Sequence, residues 1–188
     1  MLANETGHPF DDEIAFTPVN EVDVAGIQHQ KLKIVSGGQT GVDRAALDVA
    51  FELGLCHGGW CPAGRKAEDG AIPPQYQLRE TNSSEYRERT RRNVLDSDAT
   101  LLIVAGPLTG GTALTLREAK RLRRPHTVAN LFCADDEVSR TIRWLKRQNP
   151  LVLNVAGPRA SQHPGISHLA QEFLKRVLTG CEDRSRRR

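Results

Sequence analysis

Three glycine-rich stretches stand out, because glycines beside hydroxyl residues let a chain wrap its backbone N–H groups around an anion. They are Ser36-Gly37-Gly38-Gln39-Thr40-Gly41-Val42-Asp43-Arg44, Gly106-Pro107-Leu108-Thr109-Gly110-Gly111-Thr112 and Gly157-Pro158-Arg159-Ala160-Ser161. Glycine permits the sharp turn and the close backbone approach, and a following helix N-terminus adds a favourable dipole. Thr40, Thr109 and Thr112 offer hydroxyl donors to phosphate oxygens. Two familiar fingerprints fail: Gly41 is followed by Val42 and Asp43 rather than the lysine of a P-loop, and G-x-G-x-x-G is absent between Gly37 and Arg44. Walker-type ATP hydrolysis and ordinary NAD chemistry therefore become minor alternatives. A plainer role for Thr40-x-x-Asp43 is a helix capping box.

A second set of polar groups lies in the long irregular stretch from Cys61 to Ser83. Such stretches inside compact domains are usually lids or binding loops. Arg65 and Arg79 could clamp a phosphate, and Glu68 or Asp69 could accept from an amino-bearing heterocycle or a ribose hydroxyl. The bland alternative is a solvated loop with incidental ion pairs. Cys56-His57-x-x-x-Cys61 supplies at most three zinc ligands, without a matching second pair, so small buried thiols are expected instead. No Ser-His-Asp or Cys-His constellation follows from spacing, and no catalytic residue is assigned.

Elements must position these groups. Lys31–Ser36, Leu55–Trp60, Ala99–Ala105, Pro125–Phe132 and Leu151–Val155 read as strands, continuous apolar runs rather than alternating ones. Gly41–Leu53, Ser84–Asp96, Gly111–Arg123, Asp135–Asn149 and Ile166–Leu178 read as helices. Alternating strands and helices imply a Rossmann-like, doubly wound parallel sheet of five strands with helices on both faces. Ligands of such sheets bind beyond the carboxyl ends of the strands, where all three glycine-rich stretches fall.

Charge is unevenly spread. The chain has 188 residues and a net charge of +3. Residues 1–30 hold six acids and no Lys or Arg, and read as a mobile acidic extension; residues 181–188 form a basic tail. Setting aside the −6 of the extension and the +2 of the tail leaves +7 on residues 31–180, the expected ligand-binding domain. A basic body favours an anionic small molecule or nucleic acid. Nucleic acid is disfavoured, because the runs Arg87–Arg92 and Arg121–Arg124 read as solvated helix faces and aromatics are only 5% of residues. No apolar run is long enough to cross a bilayer, and no signal pattern opens the chain. Four unevenly spaced cysteines do not make a disulfide scaffold, so a cytoplasmic location is expected.

The stretches Ser36–Ala50, Gly58–Pro73, Leu78–Ile103, Leu108–Thr115 and Asn154–Ser161 resemble the molybdenum carrier family, over nearly all of residues 32–178. The wider superfamily includes lonely-guy-type phosphoribohydrolases and nucleotide-sensing Rossmann-like domains. The hydrolase pattern P-G-G-x-G-T-x-x-E falls on Pro107–Thr115, where Thr115 stands in place of the glutamate and two glycines are lost. Threonine cannot serve as a carboxylate acid or base. The resemblance therefore implies a carrier of molybdenum cofactor (molybdopterin) more than an enzyme, with a nucleotide as the alternative ligand. It implies that Gly37, Gly38, Gln39, Thr40, Gly41 and Arg44, with Thr109, Gly110, Gly111 and Thr112, meet phosphate or oxo groups. Arg65 and Arg79 would neutralise charge, and Glu68, Asp69 or Glu80 would pair with the pterin edge. It also implies a homo-oligomer, a dimer or a tetramer.

Overall fold

The computed structural model describes residues 32–180. The acidic extension and the basic tail lie outside them. Five parallel strands form the sheet: β1 (Lys33–Val35), β2 (Cys56–Gly58), β7 (Ala99–Val104), β8 (His126–Asn130) and β9 (Val152–Ala156), in the order β2-β1-β9-β7-β8. Five helices connect or follow them: α1 (Val42–Glu52), α2 (Tyr86–Leu95), α3 (Gly110–Arg121), α4 (Ala134–Gln148) and α5 (Ile166–Gly180). Helices α1, α4 and α5 pack together as one layer, and α2 packs on α3 as the other. This is the α/β, Rossmann-like architecture expected from the alternation of strands and helices.

The central strand shows why the sheet forms. All six residues of β7, Ala-Thr-Leu-Leu-Ile-Val, are buried, as a strand covered on both faces requires. The edge strand β8 instead alternates buried and half-buried positions, so continuous apolar runs describe the centre of the sheet and not its rim. On α1, Val42, Ala45, Ala46, Val49 and Ala50 are buried at helical spacing, and the small alanines let α1 lie close to α5 and the sheet. Each fully buried Leu or Ile side chain contributes about 2 kcal/mol relative to exposure.

The irregular stretch is more ordered than its sequence suggests. It contains the parallel pair β3 (Trp60–Cys61) with β6 (Arg79–Glu80), and the hairpin β4 (Lys66–Ala67) with β5 (Gly70–Ala71). A small core of Leu47, Cys61, Ala67, Ile72 and Tyr76 fastens it to α1. The Tyr76 hydroxyl donates to Asp48 of α1 at 2.7 Å. This segment is a fixed shoulder beside the sheet's carboxyl edge.

Candidate functional site

All five strands run in parallel, so the glycine-rich stretches after β1, β7 and β9 share one edge. The first and third are knitted together. Val42 N–H donates to the Pro158 carbonyl at 3.2 Å, and Ala160 N–H to Thr40 Oγ1 at 3.2 Å. Gly41 makes this possible: it has φ +81°, and a Cβ there would fall 2.3 Å from the Pro158 oxygen. Gly41, and not a side-chain cap, begins α1. The capping-box alternative for Thr40 and Asp43 is thereby replaced, since both side chains are engaged elsewhere.

Glu68 is the clasp between three segments. Its carboxylate accepts from the Thr40 hydroxyl, the Ser161 hydroxyl and, at 3.2 Å, the Ser161 amide. Burial pushes its pKa up, but the Ser161 and Thr40 hydrogen bonds together outweigh that and hold it below the ordinary carboxylate value. Asp69 beside it takes a bidentate pair from Arg44, which lowers its pKa as well. Arg44 Nε also donates to the Gly38 carbonyl at 3.2 Å, and Gln39 Nε2 to the Lys66 carbonyl at 2.8 Å. Gln39, Thr40, Arg44, Glu68 and Asp69 are thus gathered at one place.

The other charged candidates have different placements. Arg65 points into its own loop and donates to the carbonyls of Ile72, Pro73, Tyr76 and Leu78, at 2.9–3.3 Å. Its guanidinium is the spine of the shoulder, with nearly every donor committed. Glu80 accepts from the Gly64 amide at 2.6 Å and fixes the turn before β4. Arg79 lines a different cavity, with Lys33, Gln77, Asp96 and Val152, residues that include the starts of β1 and β9. Val35, Gly59 and Trp60 line it too, and among the described residues no side-chain hydrogen bond or ion pair ties Arg79 to the glycine-rich stretches.

Several site residues escaped the sequence. Arg89, in a run expected to be a solvated face, lies beneath the first glycine stretch. Its Nη1 donates to Asp43 at 2.9 Å, and a Cβ on Gly37 would fall 1.3 Å from it. The signal was there in the helical phase: Tyr86, Arg89, Thr90, Asn93 and Val94 are the covered stripe of α2. Arg159 stacks on the Tyr86 ring at 4.4 Å. Phe132, just past β8, is 68% exposed, with the His163 ring 6.3 Å from its own. Two buried polar atoms here lack a protein partner, Gln39 Oε1 and Arg89 Nε.

The Thr109–Thr112 stretch is the open one. Thr109 precedes α3 without a side-chain cap bond, Gly110 has φ +52°, and a Cβ on Gly111 would meet nothing within 4 Å. The N-terminus of a twelve-residue helix therefore faces free space beside Gln162 of the third stretch. Thr112 is buried beneath it. Thr115 turns its hydroxyl back to the Gly111 carbonyl at 3.0 Å. Glu118 is buried and pairs with Arg121 at 2.6 Å, in a cavity shared with α2. Among the described residues no cluster of three His, Cys, Asp or Glu could hold a metal ion. Cys61 is a buried thiol as expected, whereas Cys56 is exposed.

The strand order carries a further message. Counting β9 first converts β2-β1-β9-β7-β8 into 3-2-1-4-5, the first five strands of the 3-2-1-4-5-6 order of dinucleotide-binding doubly wound folds. The chain has that topology with its first strand moved to the end. In agreement, the profile of the circularly permutated YpsA SLOG family matches residues 34–178. The chain belongs to this family. Among solved structures it is similar to one described as "Putative molybdenum carrier protein" from Syntrophus aciditrophicus SB. That chain is 44% identical, superposes with a TM-score of 0.76, and the match covers 78% of this chain and 94% of the other. No curated protein matches the chain. In this permuted topology the switch point, where ligands of the fold bind, lies between β9 and β7. The Gly157–Ser161 and Gly106–Thr112 stretches border it.

Proposed function

We propose that this protein binds and shields molybdenum cofactor, a phosphorylated pterin, at the carboxyl edge between β9 and β7. The observation that carries the proposal is the uncapped N-terminus of α3 at Thr109-Gly110-Gly111-Thr112, the glycine stretch with open space before it. Amides and dipole at such a terminus suit a phosphate. The relative named as a molybdenum carrier supports the choice of ligand. The chain's residues fit that group: Arg159 supplies positive charge, exposed Phe132 a flat apolar surface, and the Glu68 clasp holds the first and third stretches in register. In this reading Gly37, Gly38, Gln39, Thr40, Gly41 and Arg44, with Asp69 and Glu80, shape the wall. Arg65 holds the shoulder they rest on. Arg79 belongs to the ligand set only if a ligand extends into the cavity it lines with Val35, Gly59 and Trp60.

A phosphorylated nucleoside has the same anion-plus-ring chemistry and is the second reading, favoured by the 3-2-1-4-5 topology. Titration of apo-protein with molybdopterin and with nucleoside monophosphates, followed by fluorescence or calorimetry, separates the two. The carrier reading requires molybdopterin to bind more tightly and requires no free base to appear from the monophosphates. Assembly as a dimer or tetramer is part of the same proposal and is read by sedimentation.

A further inference from the structure

At the amino edge of the sheet, remote from the glycine-rich stretches, lies an open cavity of about 570 Å³. Lys120, Arg123, Arg124, His126 and Arg147 line it around the edge of Trp144, and no carboxylate does. Arg124 donates to the Leu95 carbonyl at 2.7 Å, and His126 Nδ1 sits 2.8 Å from the Arg124 carbonyl. Among the described residues none of Lys120, Arg123, Arg124 and Arg147 forms an ion pair. Basic residues near the last turns of α3 and α4 answer the negative ends of those helices, but each end carries only about half a charge. Roughly three positive charges are left over.

The same chain supplies the complement. Residues 1–30 carry Glu5, Asp11, Asp12, Glu13, Glu21 and Asp23 without a single Lys or Arg. They join the described chain at Leu32, immediately before β1 and so at the amino edge too. From β1 to β8 is three strand spacings, about 14 Å, which about five extended residues span. Asp23 lies nine residues before Leu32 and the Asp11–Glu13 cluster further still, so the length of chain before either exceeds that span. Tethering sets an effective concentration on the order of millimolar, which favours the chain's own acids over free polyanions. Trp144 is only 7% exposed, so the cavity presents no platform for stacking nucleic-acid bases.

We infer that this cationic cavity is the docking site of the chain's own acidic N-terminal segment, residues 1–30.

Zero-length carbodiimide cross-linking of the full-length protein, with peptide mass spectrometry, tests this. Lys120 should join to carboxylates of residues 5–23 with at least about fivefold the yield at exposed Lys66, and mixing isotopically labelled with unlabelled protein should show links within one chain. Raising the salt to about 0.5 M should abolish the preference. The charge reversal Arg123→Glu with Arg147→Glu, its fold checked by circular dichroism, should lower the Lys120 yield to that of Lys66. A Lys120 yield no higher than that of Lys66, links only between chains, or indifference to the charge reversal would each overturn the inference.

Discussion

Gly37 and Arg89 occupy one shared volume: a single methyl group at position 37 would lie 1.3 Å from the arginine's Nη1. The glycine is there so that the guanidinium can run beneath the loop to Asp43, 2.9 Å away, where both side chains are largely covered. Gly37→Ala should therefore expel Arg89 and leave the Asp43 carboxylate without its partner. Breaking a buried pair costs about 3–5 kcal/mol, and partial exposure of the arginine brings the expectation to about 2 kcal/mol. Urea unfolding would read it, and a midpoint equal to wild type would show that the pair is incidental.

Gly111 makes the matching contrast. A side chain there enters open space, so Gly111→Val should unfold at close to the wild-type urea midpoint yet weaken a phosphate-bearing ligand at least about tenfold. Gly38 cannot serve as this test. It has φ +72°, and its Cβ would lie 2.5 Å from Leu78 Cδ1, so any loss of binding would be mixed with a loss of fold. Stable Gly111→Val protein with unchanged affinity would move the phosphate away from α3.

Arg65→Ala is expected to act on stability. Four carbonyls lose a charged donor at once, and hydrogen bonds to charged groups contribute about 1.5–3 kcal/mol each before the loop relaxes. We expect a loss on the order of 3 kcal/mol and increased proteolysis between residues 62 and 83. Arg79→Ala, on an exposed strand, should change stability by less than about 1 kcal/mol. Equal effects of the two substitutions would remove Arg65 from its role as the spine.

The clasp should be acid-labile. Glu68 and Asp69 both have pKa values below the ordinary carboxylate range in the folded protein. A depressed carboxylate contributes stability that is fully present above its unfolded pKa and is lost as pH falls through the folded one. Local opening around the first and third stretches should thus be flat above pH about 5 and rise below about 4. Hydrogen exchange at residues 39–44 and 159–162 measures it. Glu68→Gln should already show raised exchange at neutral pH, and a wild-type profile that opens on the alkaline side would contradict the clasp.

Phe132 keeps most of its ring exposed, with the His163 ring beside it. Phe132→Ala should weaken a ring-bearing phosphorylated ligand by about tenfold, the scale of one aromatic–base stack, and leave inorganic phosphate unaffected. Loss of both would point to a displaced loop.

The sequence displayed the fold because β7 is apolar but for Thr100 and α1 repeats its apolar positions every three or four residues. It also placed the three glycine stretches, since strand ends in a parallel sheet must share an edge. The strand order was not visible, because nothing in a local pattern says which neighbour β9 pairs with. Side-chain direction was hidden as well. Arg65 and Arg89 have the same chemistry, but one turns into its own loop and the other reaches under Gly37, and only tertiary contacts decide that. Arg79 looked like the partner of Arg65 because both frame one loop, yet the β3–β6 pairing turns it to another cavity.

In the proposed function, molybdenum cofactor is held at the N-terminus of α3. Native mass spectrometry of the protein isolated from cells that make the cofactor, alongside Gly111→Val, tests it most directly. The account predicts molybdopterin bound to wild type and largely lost from the stable variant. A nucleotide in its place, or molybdopterin retained equally by both proteins, would contradict it.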